Sequence, residues 1–390
     1  MAGWLRLSAA VLLLLLGALV VLPAPTYRAW MLSLALAEFG HWLAGVSLLL
    51  LWPGWHRNRQ AMAAAACGVA AAACFLTPLV RALPVARDLP ERLDAAFGGA
   101  GRVRAGRDAP ARLRPIDPVT LFSGLASPAV DVMRVPFAQR GGRWLTLDLY
   151  AREHPKDDAP PAPIVVVVHG GGWHSGSPSE LPELNAYLAS HGYLVAVPEY
   201  RFAPSDPFPA AVEDIRAAIQ LLRGRARQWN ADADGLIMIG RSAGAQIALA
   251  VAYSSGVGAV RGVVSLYGPA DLTFAWEHPA NPRVYDGTGV IERYLGGPPS
   301  AMAQRYRDAS PIEMVNDTTP PTLLIHGRKD EIVWVEQSRR LAARLTGASR
   351  PALLVELPWA THACDFTLAG PCGQIATYAI ERFLAAVAAQ

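Results

Sequence analysis

Charged side chains are scarce in this chain, and lysine is almost absent. Asp, Glu, Lys and Arg together make up 17% of the 390 residues, and lysine occurs only at Lys156 and Lys329. The arginines are spread over loops and do not cluster among aromatic residues, which argues against a nucleic-acid partner. We attribute the preference for arginine to coding bias and not to a binding surface.

Cysteine is also rare, with 4 in the whole chain. No set of cysteines and histidines has the spacing of metal ligands, so the sequence predicts no metal site. No internal repeat is visible. Cys67 and Cys74 lie in an apolar run, where we interpret them as small apolar residues.

Apolar residues are abundant, and their excess is concentrated near the N-terminus. Three runs stand out there: Leu7–Leu22, Trp30–Trp52 and Ala61–Val80. A helix needs about 20 apolar residues to cross the hydrocarbon core of a bilayer. Residues 1–80 are therefore predicted to form transmembrane helices that anchor the chain in a lipid bilayer, the third being long enough to span although weakly hydrophobic.

The first two runs each have an alternative interpretation. A cleavable signal peptide is the alternative for the first, but a proline after Ala24 should obstruct cleavage, so we expect a retained anchor. A buried soluble helix is the alternative for the second, whose flanking Trp30 and Trp52 fit interfacial anchoring better. Glu38 and His41 share one face of that helix, which should turn toward another helix or a wet cavity. We interpret them as a packing pair, with a proton relay as the alternative.

The most informative motif is Gly-Arg-Ser-Ala-Gly at residues 240–244. It directly follows the apolar run Leu236–Ile239 and directly precedes a helical pattern, so it falls where a strand should turn sharply into a helix. A serine on such a turn exposes its hydroxyl above the carboxyl end of a sheet, and the glycines permit the tight backbone approach. Ser242 is the candidate nucleophile.

A serine nucleophile needs donors for the oxyanion that develops during the reaction. The β-branched run Ile164–Val168 ends in His-Gly-Gly-Gly-Trp at residues 169–173, a loop whose bare backbone N–H groups can point into a cavity. We expect Gly171 and Gly172 to supply two donors and Ala243, next to the nucleophile, to supply the third.

The nucleophile also needs a base and an acid that orients the base. Asp330 and His362 each follow a strand-like run and complete the chain order Ser, Asp, His. His326 and His174 are rival candidates for the base. We rank them lower because His326 precedes the acid on its own loop and His174 lies beside the oxyanion loop.

With these residues in place, residues 130–390 resemble the α/β-hydrolase fold and, more narrowly, the hormone-sensitive-lipase-like esterases. The chain departs from that family at Arg241, where an acidic residue is usual, and at Ala245, where glycine is common. The first departure indicates a side branch and concerns acyl-chain preference. The matching motifs are His169–Trp173, Tyr200–Pro204, Phe208–Ala211, Gly240–Gly244, Asp330 and His362.

The resemblance implies hydrolysis of carboxylic esters through an acyl-enzyme, without a cofactor, on a small-molecule or lipid-like ester substrate. A peptidase or amidase on the same fold is one alternative, because the machinery is shared. A binding protein that has lost catalysis is another, although Ser242, Asp330 and His362 all remain. Trp173 and Trp276 are the candidate substrate-binding residues.

Eight short apolar segments are typical of strands, and from the third onward they alternate with helical patterns. This alternation predicts an α/β fold with a mostly parallel eight-stranded sheet flanked by helices. The strand segments are Asp131–Pro136, Trp144–Tyr150, Ile164–Val168, Tyr193–Pro198, Gly235–Ile239, Gly262–Leu266, Thr322–Ile325 and Leu353–Leu357.

The sequence predicts that the chain divides into three parts. After the helices of residues 1–80, the Arg-rich segment 81–128 is predicted to be a juxtamembrane linker. Residues 129–390 are predicted to form the catalytic domain with a complete core of its own, including a possible cap insertion at 271–315, a segment too long for a simple crossover.

In the stretch where this chain has Cys364 and Cys372, the related esterases have sequences that resemble Gly-Phe-Asp and Gly-Pro-Gly. Two cysteines therefore stand where glycine is expected. They are either two unrelated small residues or a disulfide, and we favour the disulfide. Such a bond persists outside a reducing cytosol. We therefore expect an extracytoplasmic catalytic domain in a multi-pass membrane protein, with the N-terminus inside.

Overall fold

The computed structural model describes residues 2–51, 54, 56–98, 112, 114–125, 129–152, 160–254, 256 and 258–388. Eight strands of this described chain form one sheet in the order β1-β2-β4-β3-β5-β6-β7-β8. The first two strands pair antiparallel, and β2 pairs antiparallel with β4. The pairs from β4 through β3 to β8 are parallel. The strands are β1 Val130–Arg140, β2 Arg143–Arg152, β3 Ala162–Val168, β4 Leu194–Pro198, β5 Ala231–Arg241, β6 Gly262–Leu266, β7 Thr322–Gly327 and β8 Ala352–Leu357.

Helices cover both faces of this sheet, so the predicted α/β-hydrolase architecture is confirmed. The helices in the described residues are α1 Ala2–Val21, α2 Tyr27–Leu49, α3 Arg59–Phe97, α4 Pro118–Ser123, α5 Pro182–Ser190, α6 Ala210–Gly224, α7 Ala243–Tyr253, α8 Leu272–Glu277, α9 Gly287–Leu295, α10 Pro299–Asp308, α11 Glu336–Gly347 and α12 Pro371–Ala388. Short 3-10 helices lie at Ala226–Trp229, Pro311–Met314 and Cys364–Phe366.

The central strand β3 shows how the sequence makes two cores. Successive side chains of a strand point to opposite faces of the sheet. Ile164, Val166 and Val168 accordingly pack in the core with α6 and α7, whereas Val165 and Val167 pack in the core with α5 and α12. The continuous apolar run is therefore the signature of a strand buried on both faces.

The three N-terminal helices are each long and apolar enough to cross a membrane. They form a bundle in which small residues permit close contact. A side chain added at Gly68 would lie 2.8 Å from the backbone oxygen of Ser47, and one added at Gly40 would lie 2.7 Å from that of Phe75. The small residues of these helices thus serve helix packing.

Helix α3 does not end where the sequence analysis places the start of a linker. It continues to Phe97, and its last part buries Ala82, Leu89, Leu93 and Phe97 in the same core as α5 and α12. The ring of Phe97 meets that of Phe383 at 4.9 Å between centroids. The expectation that residues 129–390 hold a complete core of their own is therefore wrong, because α3 fills one side of that core.

Glu38 and His41 do not pair with each other, which corrects their interpretation as a packing pair. The buried Glu38 carboxylate accepts the backbone N–H of Cys372 at 3.0 Å. The His41 Nε2–H donates to the backbone oxygen of Leu121 at 3.0 Å. Both side chains therefore attach α2 to later parts of the chain, Glu38 to the start of α12 and His41 to the second half of α4.

Candidate active site

Ser242 lies at the turn between β5 and α7, with φ 53° and ψ −123°. The surrounding glycines make this turn possible. A side chain at Gly240 would collide with the backbone of Ala245, and one at Gly244 would collide with the carbonyl oxygens of Val168 and His169. The structure therefore has the strained strand-to-helix turn that presents a serine hydroxyl at the sheet edge.

Three side chains that lie far apart in the sequence form one hydrogen-bonded chain. The Ser242 hydroxyl lies 2.8 Å from Nε2 of His362. On the other side of the ring, Nδ1–H of His362 donates to Oδ2 of Asp330 at 2.7 Å. The second oxygen of Asp330 accepts the backbone N–H groups of Ile332 and Val333 at 2.9 and 2.8 Å, so the carboxylate is held on both of its oxygens.

The environment of Asp330 keeps its carboxylate ionised. Burial raises the pKa of Asp330, but the facing rings of His362 and His326 outweigh burial, so the net pKa lies well below its usual range. An ionised carboxylate is the form that orients the imidazole and stabilises its charged state.

The two rival histidines do not contact Ser242. His326 lies behind the acid, with Nε2 3.2 Å from Asp330 Oδ2. It is fully buried, and its Nε2–H donates to the backbone oxygen of Val333 while Ser338 bonds to its other nitrogen. His174 lines the cleft on the side of the glycine loop.

The described part of the chain contains no group of three His, Cys, Asp or Glu that could hold a metal ion.

The glycine loop follows β3 in a conformation that favours glycine. Gly171 and Gly172 have φ of 118° and 57°, and a side chain on Gly171 would collide with the backbone oxygen of Ser175. In the described chain no group accepts a hydrogen bond from the N–H of Gly171, Gly172 or Ala243. These three donors are therefore available to a ligand beside Ser242.

Residues after β4 brace this loop from behind. The Tyr200 hydroxyl donates to the backbone oxygen of His169 at 3.0 Å, and the two rings stack at 4.4 Å. Burial lowers the pKa of His169 to about 4, so its ring is neutral at pH 7. Arg201, next along the chain, forms a 2.8 Å ion pair with Asp214 of α6.

Arg241, which stands where the related esterases carry an acid, has a buried acidic partner elsewhere in the chain. Its guanidinium forms a 2.7 Å ion pair with Asp365, and the Tyr267 hydroxyl also donates to that carboxylate. The Tyr267 ring meets the ring of His362 at 4.5 Å between centroids. This network, which the sequence analysis missed, supports the loop that carries His362.

The disulfide that we favour from the sequence is present beside this network. Cys364 and Cys372 are bonded, with 5.7 Å between their Cα atoms. Asp365 lies within the short loop that the bond closes. The bond therefore restrains the acidic partner of Arg241 just after the histidine of the site.

Two spaces meet at Ser242. An enclosed pocket lies toward the cap segment and is lined by residues that include Trp173, Ala275, Tyr285 and Ile291. Trp173 thus lies where the sequence analysis expects it. Trp276 does not belong to this lining; its indole N–H donates to Glu292 of α9 at 2.9 Å, so it braces the cap.

The second space is an open cleft on the side of His362. Its lining contains the glycine loop, His174 and Tyr267, together with Tyr27 and Trp30 from the first turn of α2. The sequence analysis assigns these two aromatic residues to the membrane anchor only. Their position in the cleft depends on tertiary contacts that no local pattern signals.

The chain is similar in sequence to known carboxylic ester hydrolases. Probable carboxylic ester hydrolase LipM of Mycobacterium tuberculosis is 28% identical over 260 residues, which cover 63% of this chain and 59% of LipM. Esterase LipC of the same species is 30% identical over 259 residues, 61% of each chain. This chain thus spans about three fifths of the length of these curated relatives.

The fold also matches a solved structure. Esterase LipW from Mycobacterium marinum superposes with a TM-score of 0.53 at 22% identity, over 80% of this chain and 90% of that one. The family model BD-FAE matches residues 147–345, just over half of the chain and the part that contains β3, the glycine loop, Ser242 and Asp330. The chain therefore belongs to the BD-FAE family, within the α/β-hydrolases that resemble hormone-sensitive lipase.

Proposed function

We propose that this protein is a membrane-anchored carboxylic ester hydrolase with Ser242 as its nucleophile. The observation that carries the proposal is the hydrogen-bonded chain from Asp330 through His362 to Ser242, with hydrogen bonds of 2.7 and 2.8 Å. A lone serine is a weak nucleophile at neutral pH, and a hydrogen-bonded imidazole oriented by a carboxylate is what activates it. The names of the relatives point to the same chemistry.

The reaction follows from the positions of these groups. Ser242 Oγ attacks the ester carbonyl while His362 Nε2 takes its proton, and the N–H groups of Gly171, Gly172 and Ala243 bind the oxyanion. The C–O bond to the alcohol then breaks, and His362 gives its proton to the leaving oxygen. Water activated by the same ring cleaves the acyl-enzyme and releases the acid. No cofactor takes part in these steps.

The anchor consists of α1, α2 and the first part of α3. The large apolar side chains that α1 exposes support this role, because a soluble helix would bury them; they include Trp4, Leu5, Leu12 and Leu15. The disulfide between Cys364 and Cys372 supports a catalytic domain outside the reducing cytosol. With three spans, the N-terminus then lies inside.

The test is hydrolysis of p-nitrophenyl acetate by the full-length protein in detergent, comparing Ser242→Ala with Ser265→Ala. Ser265 is a suitable control because it is a fully buried serine whose hydroxyl has no hydrogen-bond partner in the described structure. We expect Ser242→Ala to lower kcat about 10⁴-fold or more, and Ser265→Ala to stay within about twofold. Activity that survives in Ser242→Ala would refute the proposal.

A further inference from the structure

The two spaces that meet at Ser242 have different roles in the reaction. His362 lines the open cleft, which also contains Gly170 and His174, whereas the enclosed pocket is lined from the opposite side by Trp173 and cap residues. The leaving oxygen of the ester must take its proton from His362 Nε2 and therefore has to lie next to that ring. The alcohol part of the substrate consequently occupies the cleft, and the acyl part occupies the enclosed pocket.

The enclosed pocket is small. It offers about 40 Å³ to the centres of water-sized atoms, which suits a short acyl chain. The cleft on the alcohol side offers about 310 Å³, so the larger part of the substrate is the alcohol.

One wall of the cleft comes from the first turn of α2. The Trp30 indole N–H donates to the Thr361 hydroxyl at 3.1 Å, directly before His362. The backbone N–H of Tyr27 donates to the backbone oxygen of Arg283 in the cap segment at 3.1 Å. The rings of Tyr27 and Trp30 lie 5.3 Å apart, and Tyr27 stays 47% exposed at the mouth of the cleft.

The turn between α1 and α2 also attaches to the loop that carries Asp330. The backbone N–H of Ala24 donates to the Glu331 carboxylate at 2.7 Å, and the Lys329 ammonium donates to the backbone oxygen of Val20. The mouth of the cleft is thus bordered by the ends of two apolar helices. The exposed apolar side chains Leu22 and Met31 stand on either side of Tyr27 in the sequence.

We propose that the substrate is a short-acyl ester of a bulky apolar alcohol held at the membrane surface, and that Tyr27 and Trp30 form the wall that binds this alcohol. The inference rests on the proposed function. A helix that spans the bilayer and begins at the cleft brings the mouth to the interface, where aromatic residues are favoured. An alcohol whose apolar tail lies in the bilayer reaches Ser242 along this wall without leaving the lipid.

The test uses the full-length protein in phosphatidylcholine nanodiscs and three esters: p-nitrophenyl acetate, p-nitrophenyl octanoate and hexadecyl acetate. We expect wild type to cleave the acetate at least about 100-fold faster than the octanoate. Tyr27→Ala should lower kcat/KM for hexadecyl acetate about tenfold, and should lower it by a clearly smaller factor for p-nitrophenyl acetate, whose alcohol part has no long apolar tail to lie along the wall. Leu32→Ala is the control, because Leu32 is an exposed apolar residue of the same helix outside the cleft lining.

Two results would overturn this inference while the proposed function stands. One is a wild-type rate that increases with acyl length up to octanoate. The other is a Tyr27→Ala variant that melts like wild type and treats both acetates alike. Failure of the proposed function gives a different pattern, in which Ser242→Ala retains hydrolysis of every ester that wild type cleaves.

Discussion

The two halves of α3 form one continuous helix but have opposite surroundings. In the first half, Ala64 and Ala72 face the other N-terminal helices, while Met62 and Val69 are about half exposed. In the second half, after Pro78, buried leucines pack on the catalytic domain and the exposed face carries charged pairs such as Arg87 with Asp88. The exposed apolar side chains of the first half fit the lipid surroundings proposed for it, whereas the second half is an ordinary amphipathic helix.

This difference places the division between the proposed anchor and the catalytic domain inside α3. The second half of α3 is a core element of the catalytic domain, and α2 supplies a wall of the cleft through Tyr27 and Trp30. A boundary drawn at residue 129, where the sequence analysis starts the catalytic domain, would remove the α3 residues from this core. Truncations and substitutions made separately in the two halves of α3 test whether the second half belongs to the core of the catalytic domain.

The largest effect on folding is expected from the comparison of two truncations. Removing residues 1–98 deletes Leu89, Leu93 and Phe97 from the core, so the product should aggregate or lack a cooperative melting transition. Removing residues 1–77 keeps them and should leave a domain that melts cooperatively. Circular dichroism and size-exclusion chromatography check both. A monomeric 99–390 fragment with the melting temperature of the 78–390 fragment would contradict the shared core.

A pair of leucine substitutions makes the same comparison within α3. Leu93 is fully buried, whereas Leu83 is 61% exposed. Leu93→Ala should lower the free energy of unfolding by about 2–5 kcal/mol, and Leu83→Ala should change it by less than about 0.5 kcal/mol. Denaturant unfolding of the 78–390 fragment measures both. Equal effects would mean that the second half of α3 does not pack as described.

A smaller effect is expected where α2 meets the histidine loop. Trp30→Phe keeps an aromatic ring but removes the N–H that donates to Thr361. One neutral hydrogen bond contributes about 1 kcal/mol, so kcat for p-nitrophenyl acetate should decrease about fivefold with KM and melting temperature little changed. Trp42→Phe, at an exposed position of the same helix, is the matched control. A loss confined to KM would contradict a role in positioning His362.

The smallest effect is expected for the pH dependence of stability at His169, which belongs to the catalytic domain. Burial lowers the pKa of His169 to about 4 from 6.5, so the unfolded chain binds a proton that the folded chain does not bind between these pH values. Stability is therefore lost as the pH falls from 6.5 to 4. His169→Gln should flatten this dependence by a few degrees of melting temperature, measured by differential scanning fluorimetry. Parallel curves for wild type and variant would show that His169 is not buried in its neutral form.

The sequence predicts the α/β-hydrolase sheet well because the signals for its strands are local. Ser242, Asp330 and His362 follow the ends of β5, β7 and β8 within five residues, and the carboxyl ends of parallel strands meet at one edge. The structure brings these three residues within hydrogen-bonding distance of one another. The predicted strands differ from β1–β8 mainly at their ends, where local patterns are weakest.

What the sequence does not predict depends on contacts between distant parts of the chain. Two prolines and several arginines make residues 81–97 look like a linker, although Pro84 and Pro90 both lie inside α3. The contact between Trp30 and Thr361 spans 331 positions, and no periodicity encodes it. Arg241 and its partner Asp365 are 124 positions apart, so this pair could only be found in the folded chain.

The most direct test of the central claim is covalent labelling of Ser242 by a fluorophosphonate. Only a serine activated by its base displaces fluoride and forms the phosphonyl adduct. Full-length protein treated with the probe should carry one adduct, mapped by peptide mass spectrometry to Ser242, and His362→Ala should lose it. An unlabelled wild type, or labelling that persists unchanged in His362→Ala, would contradict an activated serine at this site.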